Sequence, residues 1–180
     1  SEPPLLPPPM KALLSGIAWL ALAASVLGVP VINEFCADNA DGITDQDGAY
    51  SDWIEIYNPD PTPVNLENWS LTDSAANRGK WKFPAVTLQP GQFLVVFASG
   101  KDRRVPGAEL HTNFELSKDG EYLALVHPDG QTIATEYAPS FPIQKEGYSY
   151  GRAQDAQPAT NLIGNTVPAY LVPTNSAQLP

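Results

Sequence analysis

Cysteine is almost missing from this chain, because its 180 residues include only Cys36. A single thiol excludes an intrachain disulfide, so the fold has to be held by its apolar core. Cys36 lies in an apolar run, where a free cysteine behaves as a small hydrophobic side chain. A nucleophilic role would need a base beside the thiol, and no histidine is near it in the sequence. We therefore predict a structural role for Cys36.

Positive charge is also scarce, and one stretch of the chain has none. The net charge is −10, and residues 31–60 contain eight acidic residues but no lysine or arginine. Such a surface repels phosphate backbones, so nucleic acid is not expected as a partner. The stretch is interpreted as a solubilising acidic surface, with a specific cation site as the alternative.

Sustained helical spacing and the common catalytic motifs are absent outside the first 28 residues. Without crossover helices, a parallel α/β sheet is excluded. The two histidines, His111 and His127, fit no zinc pattern. There is also no nucleophile elbow, phosphate-binding loop or dinucleotide-binding glycine pattern.

The chain does contain short alternating or apolar runs separated by turn residues, which is typical of an all-β sandwich. The predicted strands are Val31–Cys36, Trp53–Tyr57, Trp69–Thr72, Lys80–Phe83, Phe93–Ala98, Tyr122–Val126, Thr132–Tyr137 and Tyr148–Arg152. A type II turn is predicted at residues 89–92, where a proline precedes a glycine. Residues 127–130 predict a hairpin turn. The wholly apolar run Phe93–Phe97 predicts a central strand covered on both faces.

Several of these segments resemble the lamin tail domain. An Ile-Asn-Glu-Phe strand (residues 32–35), an acidic loop and an Asp-Trp-Ile-Glu-Ile-Tyr-Asn strand (residues 52–58) resemble the start of that family. The resemblance continues through residues 69–73, 81–84 and 88–97 and covers roughly residues 31–152. It implies an immunoglobulin-like antiparallel β-sandwich of the bacterial secreted type. A fold alone does not assign a function, and the heptad rod and basic localisation signal of nuclear lamins are missing from this sequence.

The two ends of the chain differ from this domain in composition. Residues 1–28 comprise a proline-rich leader and, from about Met10, an apolar run preceded by Lys11, which predicts a secretory signal peptide. A retained membrane anchor is the alternative. Residues 29–152 are predicted to form the sandwich. Residues 153–180 are predicted to be a linker or the start of a further domain.

The acidic loop, which we define as residues 37–52, is the candidate metal site. It contains five carboxylates and two glycines, and calcium prefers six to eight oxygen ligands of this kind. We predict Asp45, Asp47 and Asp52 as calcium ligands. The spacing does not fit an EF-hand, because the closing position would be Ile54. The alternative is that aspartates order the loop by accepting hydrogen bonds from nearby amides.

Tryptophan is the candidate for ligand contact. Trp53, Trp69 and Trp81 lie in predicted strands, where core packing is the simplest interpretation. The alternative is a carbohydrate-stacking platform made by Trp81 and Trp69. Trp81, between two lysines, is the tryptophan expected to be most exposed.

Glu34 and Glu55 are placed to face each other across a strand pair, as the carboxylates of a glycosidase do. No cleft is predicted around them, so placement at a sheet edge with an amide or lysine partner is favoured. The family resemblance implies that Glu34 accepts hydrogen bonds from loop amides.

These observations predict a non-catalytic, secreted or cell-surface interaction or structural module with no required cofactor. Its expected partner is a protein or glycan at the cell surface, and no permanent membrane span is expected after signal cleavage. The alternatives are a carbohydrate- or calcium-binding module and an accessory domain of a larger secreted enzyme.

Overall fold

A computed structural model of the chain describes residues 29–152 and the backbone of residues 170–171. Twelve strands are present in this part: β1 Val31–Cys36, β2 Asp52–Tyr57, β3 Val64–Asn65, β4 Ser70–Thr72, β5 Trp81–Lys82, β6 Thr87–Leu88, β7 Phe93–Ala98, β8 Leu110–His111, β9 Leu123–Val126, β10 Ile133–Tyr137, β11 Tyr150–Gly151 and β12 Tyr170–Leu171. The predicted leader, signal peptide and most of the tail lie outside the described residues.

The strands form two main sheets and a small two-stranded one. The larger sheet has the order β12-β11-β1-β2-β7-β8, and the second has the order β10-β9-β4-β5. Strands β3 and β6 pair separately. Pairing is antiparallel except for β7 with β8 and β11 with β12. The predicted immunoglobulin-like all-β sandwich is confirmed.

Alternation along the strands of the larger sheet places one set of side chains in the core. In β2, Ile54 and Ile56 are fully buried, whereas Trp53 and Tyr57 on the opposite face are half-buried. The partner strands follow the same rule, because Ile32 pairs with Ile56, and Ile54 pairs with Phe35 and Val96. Period-two alternation is what a strand with one face against a core requires.

The core fills the space between the two main sheets. Phe35 lies at one end, where its ring packs against Tyr137, Phe141 and Tyr150 at centroid distances of 4.8–5.6 Å. Leu71 and Leu123 of the second sheet belong to the same core and are fully buried. Aromatic side chains at this density supply much of the apolar area that a disulfide-free domain needs.

All eight predicted strands are present; β1 and β7 have the predicted bounds, and the ends of the other six differ by at most two residues. The short strands β3, β6, β8 and β12 were not predicted, because two residues are too few to show a period. The prediction for Phe93–Ala98 is correct in placing it inside a sheet, between β2 and β8. The prediction that both faces of this strand are covered is wrong, because Phe93 and Val95 on the outer face remain half-buried.

Both predicted turns are present. Gln92 donates its amide to the Gln89 carbonyl at 3.0 Å, and Gly91 has a φ of 70°, the left-handed conformation that a type II turn needs. The 127–130 turn joins β9 to β10, with the Gly130 amide 2.9 Å from the His127 carbonyl oxygen. Within the described residues, no helix is long and apolar enough to cross a membrane.

Candidate functional site

Asp45 organises the acidic loop from inside. Its Oδ1 accepts the amides of Asp47 and Ala49, each at 3.0 Å, and its Oδ2 accepts the Ser51 hydroxyl at 2.8 Å. The Oδ2 atom also pairs with the Lys101 ammonium. Burial acts to raise the pKa of Asp45, but these hydrogen bonds outweigh it and hold that pKa well below its usual range.

Asp47 joins the same ion-pair network at the surface. Its Oδ2 lies 2.7 Å from both the Lys101 ammonium and an Arg103 guanidinium nitrogen. Hydrogen bonds from Arg103 and Lys101 lower the pKa of Asp47. The acidic loop is therefore bound to residues 101–103, the basic segment that follows β7. We call residues 99–109 the basic loop.

Asp52 has different surroundings from Asp45 and Asp47. Its Oδ1 accepts the Asn39 amide at 3.3 Å. Burial raises the pKa of Asp52 to about 6, opposed by amide hydrogen bonds from Asn39 and Leu116 and reinforced by the charges of Asp38 and Glu115. In residues 29–152 no three His, Cys, Asp or Glu side chains form a group that could hold a metal. Calcium binding by Asp45, Asp47 and Asp52 therefore stays a prediction. The ion pairs with Lys101 and Arg103 already compensate the charges of Asp45 and Asp47 without a metal.

The tryptophans predicted as ligand contacts are in the core. Trp81 is 0% exposed and packs edge-on against Phe83 at 4.9 Å, with the Arg104 guanidinium 5.6 Å from its ring centre. The expectation that Trp81 is exposed is wrong, because its inward-facing strand position outweighs the two lysines beside it. Trp69 is 7% exposed and packs against His127 at 4.2 Å. Neither ring offers solvent the open face that a sugar needs.

Glu34 and Glu55 face each other, as predicted. They are cross-strand partners of β1 and β2, beside a bulge that adds Asn33 to β1. Glu55 accepts the Asn33 side-chain amide at 2.7 Å, which confirms an amide partner. The predicted edge placement is wrong, because β1 and β2 each have a neighbouring strand on both sides in the larger sheet. Glu34 accepts the Ser149 hydroxyl, so its observed partner is a side chain and not a loop amide.

Five apolar side chains surround this acidic pair on the solvent-facing side of the larger sheet. Three cross-strand rows place them there: Val31–Tyr57–Phe93, Glu34–Glu55–Val95 and Cys36–Trp53–Phe97. We define the outer patch by the half-buried members: Val31, Trp53, Tyr57, Phe93 and Val95. Among the described residues, none of these five packs against either core cluster. Tyr57 and Phe93 stack with ring centres 4.5 Å apart.

The sequence does contain a pattern that indicates the outer patch. Trp53, Glu55 and Tyr57 occupy alternate positions of β2, and Phe93 and Val95 occupy alternate positions of β7. Pairing the two strands by this alternation would have placed the aromatic residues on one outer face.

One hydrogen-bonded chain of chemistry-bearing residues was not predicted at all. His111 Nδ1 lies 2.8 Å from Ser99 Oγ, and His111 Nε2 lies 2.9 Å from Glu109 Oε1. The residue types match a nucleophile–base–acid chain, but His111 is fully buried and stacks on Phe97. Glu109 also accepts the Gln46 amide at 2.8 Å. The hydrogen bonds of Ser99, His111 and Glu109 therefore connect the basic loop to the acidic loop.

A cavity of about 270 Å³ is lined by residues that include Ile143, Tyr148 and Ser149, the residue whose hydroxyl donates to Glu34. It contains none of the predicted site residues.

The comparison with known families agrees with this architecture. No curated protein matches the chain. The sequence model of the Lamin Tail Domain matches residues 23–139, more than half of the chain, and includes β1, β2, β7 and the acidic pair. This chain belongs to the lamin tail domain family.

Proposed function

We propose that this chain is a non-catalytic interaction module of a secreted or cell-surface bacterial protein, and that the outer patch is where it contacts a partner protein. The lamin tail domain is an immunoglobulin-like, non-enzymatic domain. The observation that carries the proposal is a sheet face with three half-buried aromatic side chains that pack on neither core cluster in the described part of the chain. Aromatic residues on a rigid sheet are typical of interface centres.

The other charged and titratable side chains support the proposal, because their ion pairs and hydrogen bonds hold loops of the domain together. Asp45, Asp47, Lys101 and Arg103 join two loops. His111 is buried between hydrogen-bond partners. No described residue favours the accessory-enzyme alternative, and the buried Trp69 and Trp81 do not favour a carbohydrate platform.

Export belongs to the proposal as well. It is supported by the basic residue and apolar run that follow Met10 in the sequence. The absence of a disulfide does not argue against export, because a core of this size can stabilise a domain of about 120 residues without one.

The test compares binding of the full chain and of two variants to surface material from its own host. The first variant, Tyr57→Ser with Phe93→Ser, removes the stacked pair of the outer patch. The second, Ile143→Ser, removes a side chain that is 77% exposed outside the patch. We expect saturable binding by the wild-type chain, at least tenfold weaker binding by the double variant, and no change for Ile143→Ser.

Thermal melts of all three proteins check that the folds are intact. Equal binding by the wild type and the double variant would overturn the outer patch as the contact surface. The absence of saturable binding by the wild-type chain would overturn the interaction function itself.

A further inference from the structure

The acidic pair sits within the outer patch, and this position defines what the patch can accept. Glu55 is the central residue of the middle row, with Glu34 on one side and Val95 on the other. The rows above and below it contribute Tyr57 and Trp53. A partner that covers the aromatic side chains would therefore cover two carboxylates as well.

Neither carboxylate has a cationic partner in the described part of the chain. Asn33 donates to Glu55 and Ser149 donates to Glu34, and both donors are neutral. No ion pair reaches either residue from a lysine or arginine of residues 29–152. Burial raises the pKa of Glu55; the Asn33 hydrogen bond opposes the rise and the charge of Glu34 adds to it.

This electrostatic arrangement contrasts with the acidic loop. There, Asp45 and Asp47 are compensated within the chain by Lys101 and Arg103. On the outer patch, Glu34 is half-buried and Glu55 is 7% exposed among apolar side chains, and no lysine or arginine of the described residues pairs with either carboxylate. A cation supplied from outside would relieve their repulsion and gain more than it would in water, because the surface between apolar side chains has a lower effective dielectric constant.

Other occupants fit this surface less well. A second copy using the same patch would bring two acidic pairs into one interface, since a two-fold interface uses the same surface of both copies. An anionic lipid surface would be repelled by the same charges. A sugar would find the facing sides of the Tyr57 and Phe93 rings already in contact, 4.5 Å apart.

We propose that the outer patch binds an amphipathic segment of a partner protein that carries a lysine or arginine within its apolar face, and that Glu34 and Glu55 receive this cation. The inference rests on the proposed function and specifies the chemistry of the partner. The stem of a lysine or arginine can lie along apolar side chains while its charged end reaches a carboxylate.

The test uses three synthetic helical peptides with one leucine-rich face and the same sequence except at one central position of that face. The position is lysine, norleucine or glutamate. Norleucine keeps most of the apolar stem of lysine and removes the charge. Affinities for the full chain are measured by fluorescence anisotropy of labelled peptides at low and high salt.

Two protein variants accompany the wild type. Glu34→Gln with Glu55→Gln removes both charges and retains an acceptor for Ser149 and Asn33. Its matched control, Glu67→Gln with Asp119→Asn, removes two charges from exposed residues away from the larger sheet. We expect the lysine peptide to bind the wild type at least tenfold more tightly than the norleucine peptide. That advantage should fall with salt, disappear in Glu34→Gln/Glu55→Gln and persist in the control.

Each remaining outcome has a defined meaning. Equal affinities for the lysine and norleucine peptides, both lost in Tyr57→Ser/Phe93→Ser, would overturn the cation preference and leave the proposed function standing. A lysine advantage that survives in Glu34→Gln/Glu55→Gln would overturn the role of the acidic pair, and failure of the lysine peptide to bind would overturn the whole inference. Self-association of the wild type that is lost in Tyr57→Ser/Phe93→Ser would assign the patch to a second copy and also overturn it.

Discussion

At the scale of single residues, Asp45 shows how a buried carboxylate can be stabilised without a metal. Its side chain is 0% exposed, yet its two oxygens accept two amides and a hydroxyl and pair with an ammonium group. An unpaired charge at that depth would be costly. Lys101, which compensates it, lies 56 residues later in the chain, so no local pattern could have identified the pair.

We predict that Asp45→Asn lowers the free energy of unfolding at pH 7 by roughly 3 kcal/mol, the usual result of breaking a buried ion pair. The folded state holds the pKa of Asp45 below its usual 3.8, so the stabilisation is present above that pH. It is lost as pH falls through 3.8 towards the lower folded value. Urea unfolding of the wild type and the variant at pH 7 and pH 3 should therefore show a smaller difference at pH 3.

Asp47→Asn is the matched control, because Asp47 contacts the same cations at a side chain that is 42% exposed. A smaller loss of unfolding free energy is expected for that variant.

Asp52 adds a trend of opposite sign in the wild type. Its pKa rises to about 6 in the folded state, so its contribution to stability is present below 3.8 and is lost as pH rises through 6. An Asp45→Asn difference that does not depend on pH would contradict the ion-pair explanation.

At the scale of elements, β11 is held against β1 by a close backbone approach. A Cβ atom on Gly151 would lie 2.4 Å from the Asn33 carbonyl oxygen and 2.9 Å from the Glu34 Cα. These are backbone atoms, which cannot move aside as the end of a flexible side chain can. The contact also keeps Ser149, two residues earlier, within reach of Glu34.

We predict that Gly151→Ala lowers the free energy of unfolding by about 1–3 kcal/mol, the usual range for an overpacked site. The substitution should also weaken hydrogen-exchange protection of the Arg152 amide, which donates to Asn33 at 2.8 Å. Gly107→Ala is a useful comparison, since a Cβ there would meet nothing within 4 Å. It retains backbone strain from its φ of 81°. Unchanged exchange at Arg152 in Gly151→Ala would show that the strands tolerate the extra methyl group.

The acidic loop is the second element with a testable property, and it decides the calcium prediction. Calcium at Asp45 and Asp47 would have to displace Lys101 and Arg103. We therefore expect calorimetry at about millimolar calcium to show little heat for the wild type and more for Lys101→Met with Arg103→Met. Saturable heat and a raised melting temperature in the wild type would instead establish the calcium site. No heat for either protein would exclude it.

At the scale of the whole molecule, the charge distribution separates two kinds of surface. The net charge of −10 is the electrostatic basis for predicting that nucleic acid is not a partner. The acidic and basic loops compensate each other at one end of the larger sheet. The acidic pair within the outer patch has no such compensation in the described residues, and this difference underlies both proposals.

The sequence by itself determined the strands and the sandwich. The sequence shows directly where apolar residues alternate with others and where proline and glycine form turns. These local properties were enough to predict β1, β2, β7 and the turn at Gly91. The opposition of Glu34 and Glu55 was predicted as well, but it depends on the bulge at Asn33, which strict alternation along β1 does not predict.

Only the tertiary structure decided which partner each charged or aromatic side chain meets. The pairing of Asp45 with Lys101 joins residues 56 positions apart, and the burial of Trp81 beside two lysines depends on what packs over its strand. The exposure of Phe93 and Val95 was decided in the same way, because the same apolar run is covered or open according to what packs on it. Such contacts depend on how the sheets and loops pack together, and the local sequence pattern does not specify that packing.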